Sequence, residues 1–389
     1  VAWNMKNEAF MQNVALFNSL KLRVSYGLVG NQAINPYQTI TTSNTNRIPF
    51  NGISTIGVAA NILGNADLKW ESTFGTNIGV DFSIIKNRIS GTIDLYNTKT
   101  KDLVLLRALP NITGYTQILD NIGTVGNKGV ELSLKTVNVE TKDFSWQSTL
   151  NFSTNKNKII DIYGNKKDDI GNRWFIGQPI QAIYDYRLVG VWQTGEDASQ
   201  QDPGVKPGDL KFADNNNSKT ITADDRVILG SPNPDWIGGI INTVRYKDFS
   251  LSLFIQTAQG ILKNNPVLTN ADQSGIINVP AAVQYWTATN KNNSRPGIGY
   301  VNPRGYNYPT DGSYTRLKDV TLSYNAPQRL LDKAKLGGLT LYVAGRNLYT
   351  WTNWIGWDPE NNFDRATSTN ANNYPLVRSF VIGANITLR

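Results

Sequence analysis

Ten amphipathic segments follow one another along this chain, and the connections between them alternate strictly between short and long. Each segment alternates apolar and polar residues with a period of two, which predicts a β-strand with two different faces. The segments are 20–30, 70–85, 88–99, 129–139, 144–156, 235–246, 249–258, 313–325, 339–350 and 379–388. The short connections are Lys86-Asn87, 140–143, Lys247-Asp248 and 326–338, and the long ones are 31–69, 100–128, 157–234, 259–312 and 351–378.

This one-sided distribution of connections favours an all-β fold, a transmembrane antiparallel β-barrel. Outer-membrane barrels have an even number of strands, short turns at one end and long loops at the other. Because hydrocarbon offers no hydrogen-bond partners, their backbone groups must pair between strands. A soluble all-β protein with one buried face would show the same period, but it has no reason to sort its loops in this way.

The alternation also assigns the two faces of the predicted strands. In 144–156 the apolar phase, predicted to face lipid, is Trp146, Leu150 and Phe152. Polar residues predicted to line a wet lumen include Gln147, Thr149 and Asn151. Those predicted to set selectivity, together with the loops, are Asp81, Asp94, Gln147, Asn151 and Arg346. Aromatic residues near strand ends fit the girdles of a membrane interface: Trp70, Tyr96, Trp236, Tyr246, Tyr349 and Trp351.

Composition excludes several kinds of chemistry. The 389 residues include no His and no Cys, which removes Ser/His and Cys/His catalysis, disulfides and the usual zinc sites. Adjacent acids such as Asp224 and Asp225 point opposite ways in an extended segment and make poor acid–base partners, so we expect no enzyme. The formal charge of +8 is scattered, which suits contact with a lipid bilayer and lipopolysaccharide and gives no sign of nucleic-acid binding.

The sequence gives two further expectations, about membrane helices and about the start of the chain. It contains no run of about 18 apolar residues, so we expect no transmembrane helix. No signal peptide opens the chain either, so we expect an upstream portion before Val1.

Six stretches match, in order, the motifs of a known family. They are LKLRVSYGLVGNQAINPYQ (20–38), LKWESTFGTNIGVDFSIIKNRISGTIDLYNTKTKDLV (68–104), DNIGTVGNKGVELSLKT (120–136), GDLKFADNNNSKTITADDRVILGSPNPDWIGGI (208–240), SYTRLKDVTLSYNAP (313–327) and LTLYVAGRNLYTWTNWIGWDPE (339–360). On these motifs the chain resembles the SusC/RagA-type TonB-linked outer-membrane transporters from Trp3 almost to its end.

The resemblance implies a 22-stranded barrel with an N-terminal plug, of which residues 1–389 would be the C-terminal part without the plug. It implies coupling to TonB-ExbB-ExbD through upstream regions and a SusD-like surface lipoprotein as a lid. Such transporters import oligosaccharides or oligopeptides in Bacteroidetes. The implied location is the outer membrane, with the long loops outside. The alternative from another class is a secreted β-rich glycan-binding or adhesin module.

Two positions depart from the family pattern. Members often end on an aromatic residue, whereas this chain ends in ANITLR, so either Arg389 replaces that residue or the end is clipped. Members also carry a calcium-loop-like DxNxDGxIxxxD, and the corresponding candidate metal ligands here are Asp214, Asn216, Ser218, Thr220 and Asp225. Ser replaces the central Asp and Lys219 replaces the Gly, so Ca²⁺ is a candidate and not a required cofactor. The alternative is a loop held by Asx turns.

Two clusters in the long connections contain the groups that sugar recognition needs, YVNPRGYNYPTDGSY (300–314) and WTNWIGWDPENNFD (351–364). Aromatic faces stack on C–H groups, and amides and carboxylates pair with hydroxyls. The candidate substrate-binding residues are Tyr306, Tyr308, Trp354, Trp357, Asp358 and Asn361. The alternative is that these aromatic residues pack the loops against one another or seat the lid.

Overall fold

The computed structural model describes residues 1–32, 34–197, 202, 204–272, 281, 283–361 and 375–389. Eleven strands form one antiparallel meander in which each strand pairs with its neighbours in chain order. They are β1 (Ala2–Asn4), β2 (Phe17–Asn31), β3 (Glu71–Ile84), β4 (Ile89–Ala108), β5 (Gln117–Glu140), β6 (Phe144–Ile162), β7 (Trp236–Tyr246), β8 (Phe249–Gln259), β9 (Tyr314–Asn325), β10 (Leu336–Thr352) and β11 (Ser379–Leu388). The ten predicted segments are confirmed as β2–β11, and β1 is a short edge strand without an alternation signal.

Shorter elements lie in the connections. A hairpin pairs Ser43–Phe50 with Ile53–Ala60, and Ile62–Leu63 pairs in parallel with β5. Further two-stranded ladders are Ile183–Asp185 with Val227–Gly230, Leu188–Val191 with Leu210–Phe212, and Leu262–Lys263 with Thr310–Asp311. The α-helices are Ala9–Gln12, Pro266–Ala271 and Gln328–Ala334, and the 3₁₀ helices are Met5–Asn7, Asn111–Thr113 and Ala223–Asp225. Among the described helices, none has the length and apolar character needed to cross a membrane.

The predicted connection 100–128 was too long. The ladder of β4 and β5 continues to the pair Ala108 and Gln117, so only 109–116 connects the two strands. Irregularities between Thr100 and Leu103, and between Leu103 and Val104, shift the register there. A bulge moves the following side chains to the other face, which is why the period-2 pattern stops at residue 99.

The two faces of the meander differ as predicted. Apolar side chains of one phase are exposed across the sheet, with Leu95 48% exposed and Ile382 83% exposed. On the opposite face Arg23 of β2 pairs with Asp81 of β3 at 2.8 Å and with Asp94 of β4 at 3.0 Å. An exposed apolar face of this extent needs an apolar environment, which the hydrocarbon of a membrane provides.

Outward-facing aromatic residues lie at both ends of the apolar face. At the turn end they are Phe144, Tyr246, Phe249 and Tyr324. At the loop end they are Phe152, Trp236, Tyr349 and Trp351. Trp236 and Tyr246 begin and end β7, ten positions apart. At about 3.3 Å per residue and a tilt of about 40°, they are about 25 Å apart in height, which is the apolar band of an outer-membrane barrel.

Tyr96 departs from the predicted aromatic girdle. It lies in the polar phase of β4, one position after the exposed Leu95, and its hydroxyl donates to Oδ1 of Asn155 at 3.1 Å. The ring crosses Gly129 of β5, where a Cβ would come within 2.4 Å of the Tyr96 hydroxyl. The girdle assignment of Tyr96 was wrong because adjacent strand residues point to opposite faces.

The assignment of faces predicts opposite tolerances to charge. Leu150→Arg places a guanidinium in the lipid-facing phase, and we expect it to cost about 2–4 kcal/mol of folding free energy. Asn151→Arg, one position further on the polar face, should cost less than about 1 kcal/mol because water solvates the new charge. Urea unfolding of the protein in lipid vesicles measures both. Equal costs would contradict the assigned faces.

Candidate functional site: the loop body and the polar sheet face

The long connections 157–234 and 259–312 share one hydrophobic core, which we call the loop body. Its buried members are Tyr186, Val191, Leu210, Phe212, Ile221, Leu268, Val283, Tyr300, Tyr306 and Tyr308. Aromatic rings in this core contact one another: the centroids are 5.1 Å apart between Phe212 and Tyr306 and 4.9 Å apart between Tyr306 and Tyr308. A dry core of this kind holds the loops in a defined shape.

Tyr306 and Tyr308, two predicted substrate contacts, lie inside this core. Tyr308 is only 3% exposed, and its hydroxyl donates to Asp272 at 2.5 Å. Burial raises the pKa of both phenols, so both stay neutral. Their ring faces are already covered by protein, which corrects the expectation that they contact substrate. Aromatic density in a sequence does not reveal which ring faces are covered.

Asp358 and Trp354, two more predicted contacts, are also buried. Arg316 of β9, itself buried, bonds Oδ1 of Asp358 at 2.6 Å and Oε2 of Glu360 at 3.0 Å. Asp358 also accepts backbone hydrogen bonds from Glu360 at 2.9 Å and from Leu376 at 3.1 Å. Asp358 therefore ties the two described ends of the connection between β10 and β11 to the polar face of the sheet.

Lys263 adds a second anchor to the same segment. Its ammonium group donates to the carbonyl oxygens of Pro359 and Asn361 and lies 5.4 Å from the centroid of the Trp354 ring. Burial lowers the pKa of Lys263, while the charges of Asp358 and Glu360 oppose this shift.

Trp357 and Asn361 are the predicted contacts that keep accessible surface. Trp357 is 69% exposed, and Asn361 is half-buried. An exposed indole can stack on a polar ligand, and an accessible amide in the same segment can form hydrogen bonds with it.

The predicted metal loop is closed by backbone hydrogen bonds. Asp225 is buried, and its carboxylate accepts from the backbone amides of Asn215 at 2.9 Å and Thr222 at 2.8 Å. Burial raises the pKa of Asp225, but these bonds outweigh it and hold the pKa below its usual value. Asp214 accepts from the backbone amides of Ser218 at 3.1 Å and Lys219 at 2.8 Å.

This donor set does not fit a calcium site. Ser218 Oγ donates to the carbonyl oxygen of Thr220 at 2.8 Å, so two candidate ligands bond to each other. Lys219, with φ 63°, stands where such loops have Gly and brings a positive charge. Within the part of the chain that the structure describes, no three His, Cys, Asp or Glu side chains could together hold a metal. We therefore derive no role for Ca²⁺.

The polar sheet face carries an uncharged recess that the sequence patterns did not single out. A cavity of about 410 Å³ is lined by Asn127, Ser153, Asn155, Asn157 and Gln181, among others, and no charged residue lines it. Asn157 donates to Asn127 at 2.8 Å and accepts from the backbone amide of Ile180 at 3.0 Å. The repeated Asn in TNKNK (154–158) is the only sequence signal for it.

Arg23 bridges the predicted selectivity residues Asp81 and Asp94. It binds both carboxylates, and Gly79 lies between them, where a Cβ would come within 2.6 Å of the guanidinium. Both carboxylates therefore already have an ionic partner within the protein.

The anchoring role of Asp358 predicts a local destabilisation. Asp358→Asn removes the more deeply buried of the two carboxylates that compensate Arg316, and we expect a cost on the order of 3 kcal/mol. Hydrogen exchange at the amides of Glu360 and Leu376 should accelerate accordingly. Asp224→Asn, at an exposed carboxylate, is the matched control. Unchanged exchange in the Asp358 variant would contradict the anchor.

Two substitutions in the 214–225 loop should create Ca²⁺ binding. Ser218→Asp combined with Lys219→Gly restores the carboxylate and the glycine, so Ca²⁺ should raise the melting temperature of this variant relative to chelator. The natural sequence should show no shift. A calcium-dependent shift in the natural protein would contradict the reading of the donor set.

Comparison with known proteins identifies the barrel. The family described as TonB dependent receptor-like, beta-barrel, matches residues 2–348. TonB-dependent receptor P26 of Formosa agariphila is 37% identical over 417 residues, covering 99% of this chain and 41% of that protein. TonB-dependent receptor SusC of Bacteroides thetaiotaomicron is 26% identical over 413 residues, covering 99% of this chain and 39% of that protein.

Among solved structures, the RagAB peptide transporter superposes with a TM-score of 0.79 and 26% identity, covering 100% of this chain and 43% of that chain. The chain thus spans about two fifths of the length of the curated relatives it matches. These matches agree with the strand order and with the two faces of the sheet. The chain belongs to the TonB-dependent receptor β-barrel family, whose members are outer-membrane transporters, and is of the SusC/RagA type.

Proposed function

We propose that the chain forms part of the barrel of a TonB-dependent importer of oligosaccharides in the outer membrane. The uncharged recess lined by Asn127, Asn155 and Asn157 favours an oligosaccharide as the cargo. Amide side chains both donate and accept, which matches neutral hydroxyl groups. The exposed Trp357 supplies an aromatic face at the loop side.

An oligopeptide is the second candidate cargo. The RagAB structure is described as a peptide transporter, and it is 26% identical to this chain. Amides also pair with a peptide backbone, so the recess alone is compatible with both cargoes. Arg23 already binds the carboxylates of Asp81 and Asp94, so a charged peptide terminus would have to displace it there, which favours the glycan.

We also propose the orientation of the barrel in the membrane and its partner proteins. The long loops face the medium, and the turns such as 140–143 face the periplasm. A SusD-like lipoprotein covers the loop body and delivers the cargo. TonB-ExbB-ExbD acts through regions of the receptor upstream of this chain. The one-sided loop lengths and the kinship with SusC and RagAB support this arrangement.

The cargo proposal is tested by calorimetric titration of the full-length receptor, with its lipoprotein, against neutral oligosaccharides and peptides of matched length. Trp357→Ala should weaken oligosaccharide binding about 2- to 10-fold through the lost stacking face. Trp351→Ala is the matched control, since Trp351 is half-exposed on the lipid face. Binding of peptides without binding of oligosaccharides would identify an oligopeptide as the cargo. Equal effects of Trp357→Ala and Trp351→Ala would reject Trp357 as a substrate contact.

The orientation is tested by cysteine labelling, because the natural sequence has no Cys. Val301→Cys, at a loop position 86% exposed, should react in intact cells with a membrane-impermeant maleimide. Lys142→Cys, in the turn between β5 and β6, should react only after the outer membrane is opened. The reverse pattern would overturn the orientation.

A further inference from the structure

Five lysines form a patch on the outward face of β4, β5 and β6. All five side chains are exposed: Lys99, Lys101, Lys128, Lys156 and Lys158. They share the phase of the lipid-facing residues, since Lys99 follows the exposed Leu95 by four positions on β4. We call these five residues the lysine patch.

The strand register crowds these charges together. Lys128 of β5 lies directly opposite Lys156 of β6, and Lys99 and Lys158 flank Gly126 on its two sides. Like charges directly opposite each other destabilise a sheet. A sequence without an external anion would gain stability by placing an acid at one of these positions.

No carboxylate in the described part of the chain lies within ion-pair distance of the lysine patch. Its members make no ion pair and no side-chain hydrogen bond with any described residue. One ring contact is present, with the Lys101 ammonium 5.2 Å from the centroid of Phe74. On the opposite face of the same strands, by contrast, Asp94 is paired with Arg23. The outward charges therefore remain available to an anion outside the protein.

The patch lies at the level of the loop-end aromatic belt. Trp236 marks this belt on β7, and Phe74 with Trp70 marks it at β3. Because the strands are about 4.8 Å apart and tilt by about 40°, a level line climbs about 4 Å along each successive strand. From Trp236 this line crosses Lys156 and Lys128, passes Lys99 and reaches Phe74.

We propose that the lysine patch binds the phosphorylated headgroup of glycolipids in the outer leaflet of the membrane. The ammonium groups supply the charge that phosphate needs, and the aliphatic stems lie along the apolar band below them. The leaflet follows from the proposed orientation, in which the loop end faces the medium. The patch would fix lipid on one sector of the barrel, whereas aromatic residues mark the same level on β7 and β10.

The test uses the full-length receptor in detergent, titrated with monophosphorylated lipid A, with dephosphorylated lipid A and with inorganic phosphate, and read by native mass spectrometry. The variant is Lys128→Gln, Lys156→Gln and Lys158→Gln together. Each lysine near a charged lipid surface contributes about fivefold in affinity, so the variant should bind monophosphorylated lipid A on the order of 100-fold more weakly.

Two variants act as controls. Lys86→Gln, Lys142→Gln and Lys247→Gln remove the same charge at the turn end and should leave the affinity unchanged. Lys128→Arg, Lys156→Arg and Lys158→Arg together keep the charge and should keep the binding. Heat-modifiable migration in a denaturing gel establishes that each variant is folded.

Three results would overturn the proposal. They are equal affinity for dephosphorylated lipid A, an equal loss in the turn-end variant, and competition by inorganic phosphate at equal concentration. Binding in detergent does not depend on the leaflet. Failure of the orientation test at Val301 would therefore overturn the proposed topology without altering this measurement, and the two failures are distinguishable.

Discussion

Backbone hydrogen bonding between neighbouring strands is the interaction on which the rest of this structure depends. In hydrocarbon, an unpaired N–H or C=O costs several kcal/mol, so each strand that crosses the membrane must pair along both edges. The unbroken meander meets this condition for β3 to β10, while in the described chain β11 pairs only with β10 and most of β2 pairs only with β3. Because the backbone groups pair within the sheet, the side chains on its two faces meet two different solvents, lipid and water.

The side chains of the sheet are divided between those solvents, and the loops gain a core of their own. The loop body buries ten residues away from the sheet. Buried charges fix the connection between β10 and β11, which Asp358 joins to Arg316 on the polar face and which Lys263 joins to the connection 259–312. A buried ion pair of this kind is a poor source of net stability, but breaking it is costly, which makes it suited to fixing one loop position.

Electrostatics differ sharply between the two faces of the same strands. On the inner face, Arg23 binds two carboxylates, and a separate amide-lined recess has no charged residue in its lining. On the outer face, the lysine patch concentrates positive charge without a protein partner. The first arrangement suits passage of a neutral, polar cargo, and the second suits a fixed anionic neighbour.

The sequence by itself determined the ten long strands, their two faces and the sorting of short and long connections, because strand periodicity and turn length are local properties. It did not determine that β4 continues past residue 99 to Ala108 or that β5 begins as early as Gln117, because bulges break the period. Tertiary structure alone decided that Tyr306, Tyr308, Trp354 and Asp358 are buried while Trp357 is exposed. It also decided that the asparagines of two strands share one recess and that five lysines share one surface. Burial and neighbourhood depend on register and on packing between segments far apart in the chain, and a local pattern does not carry that information.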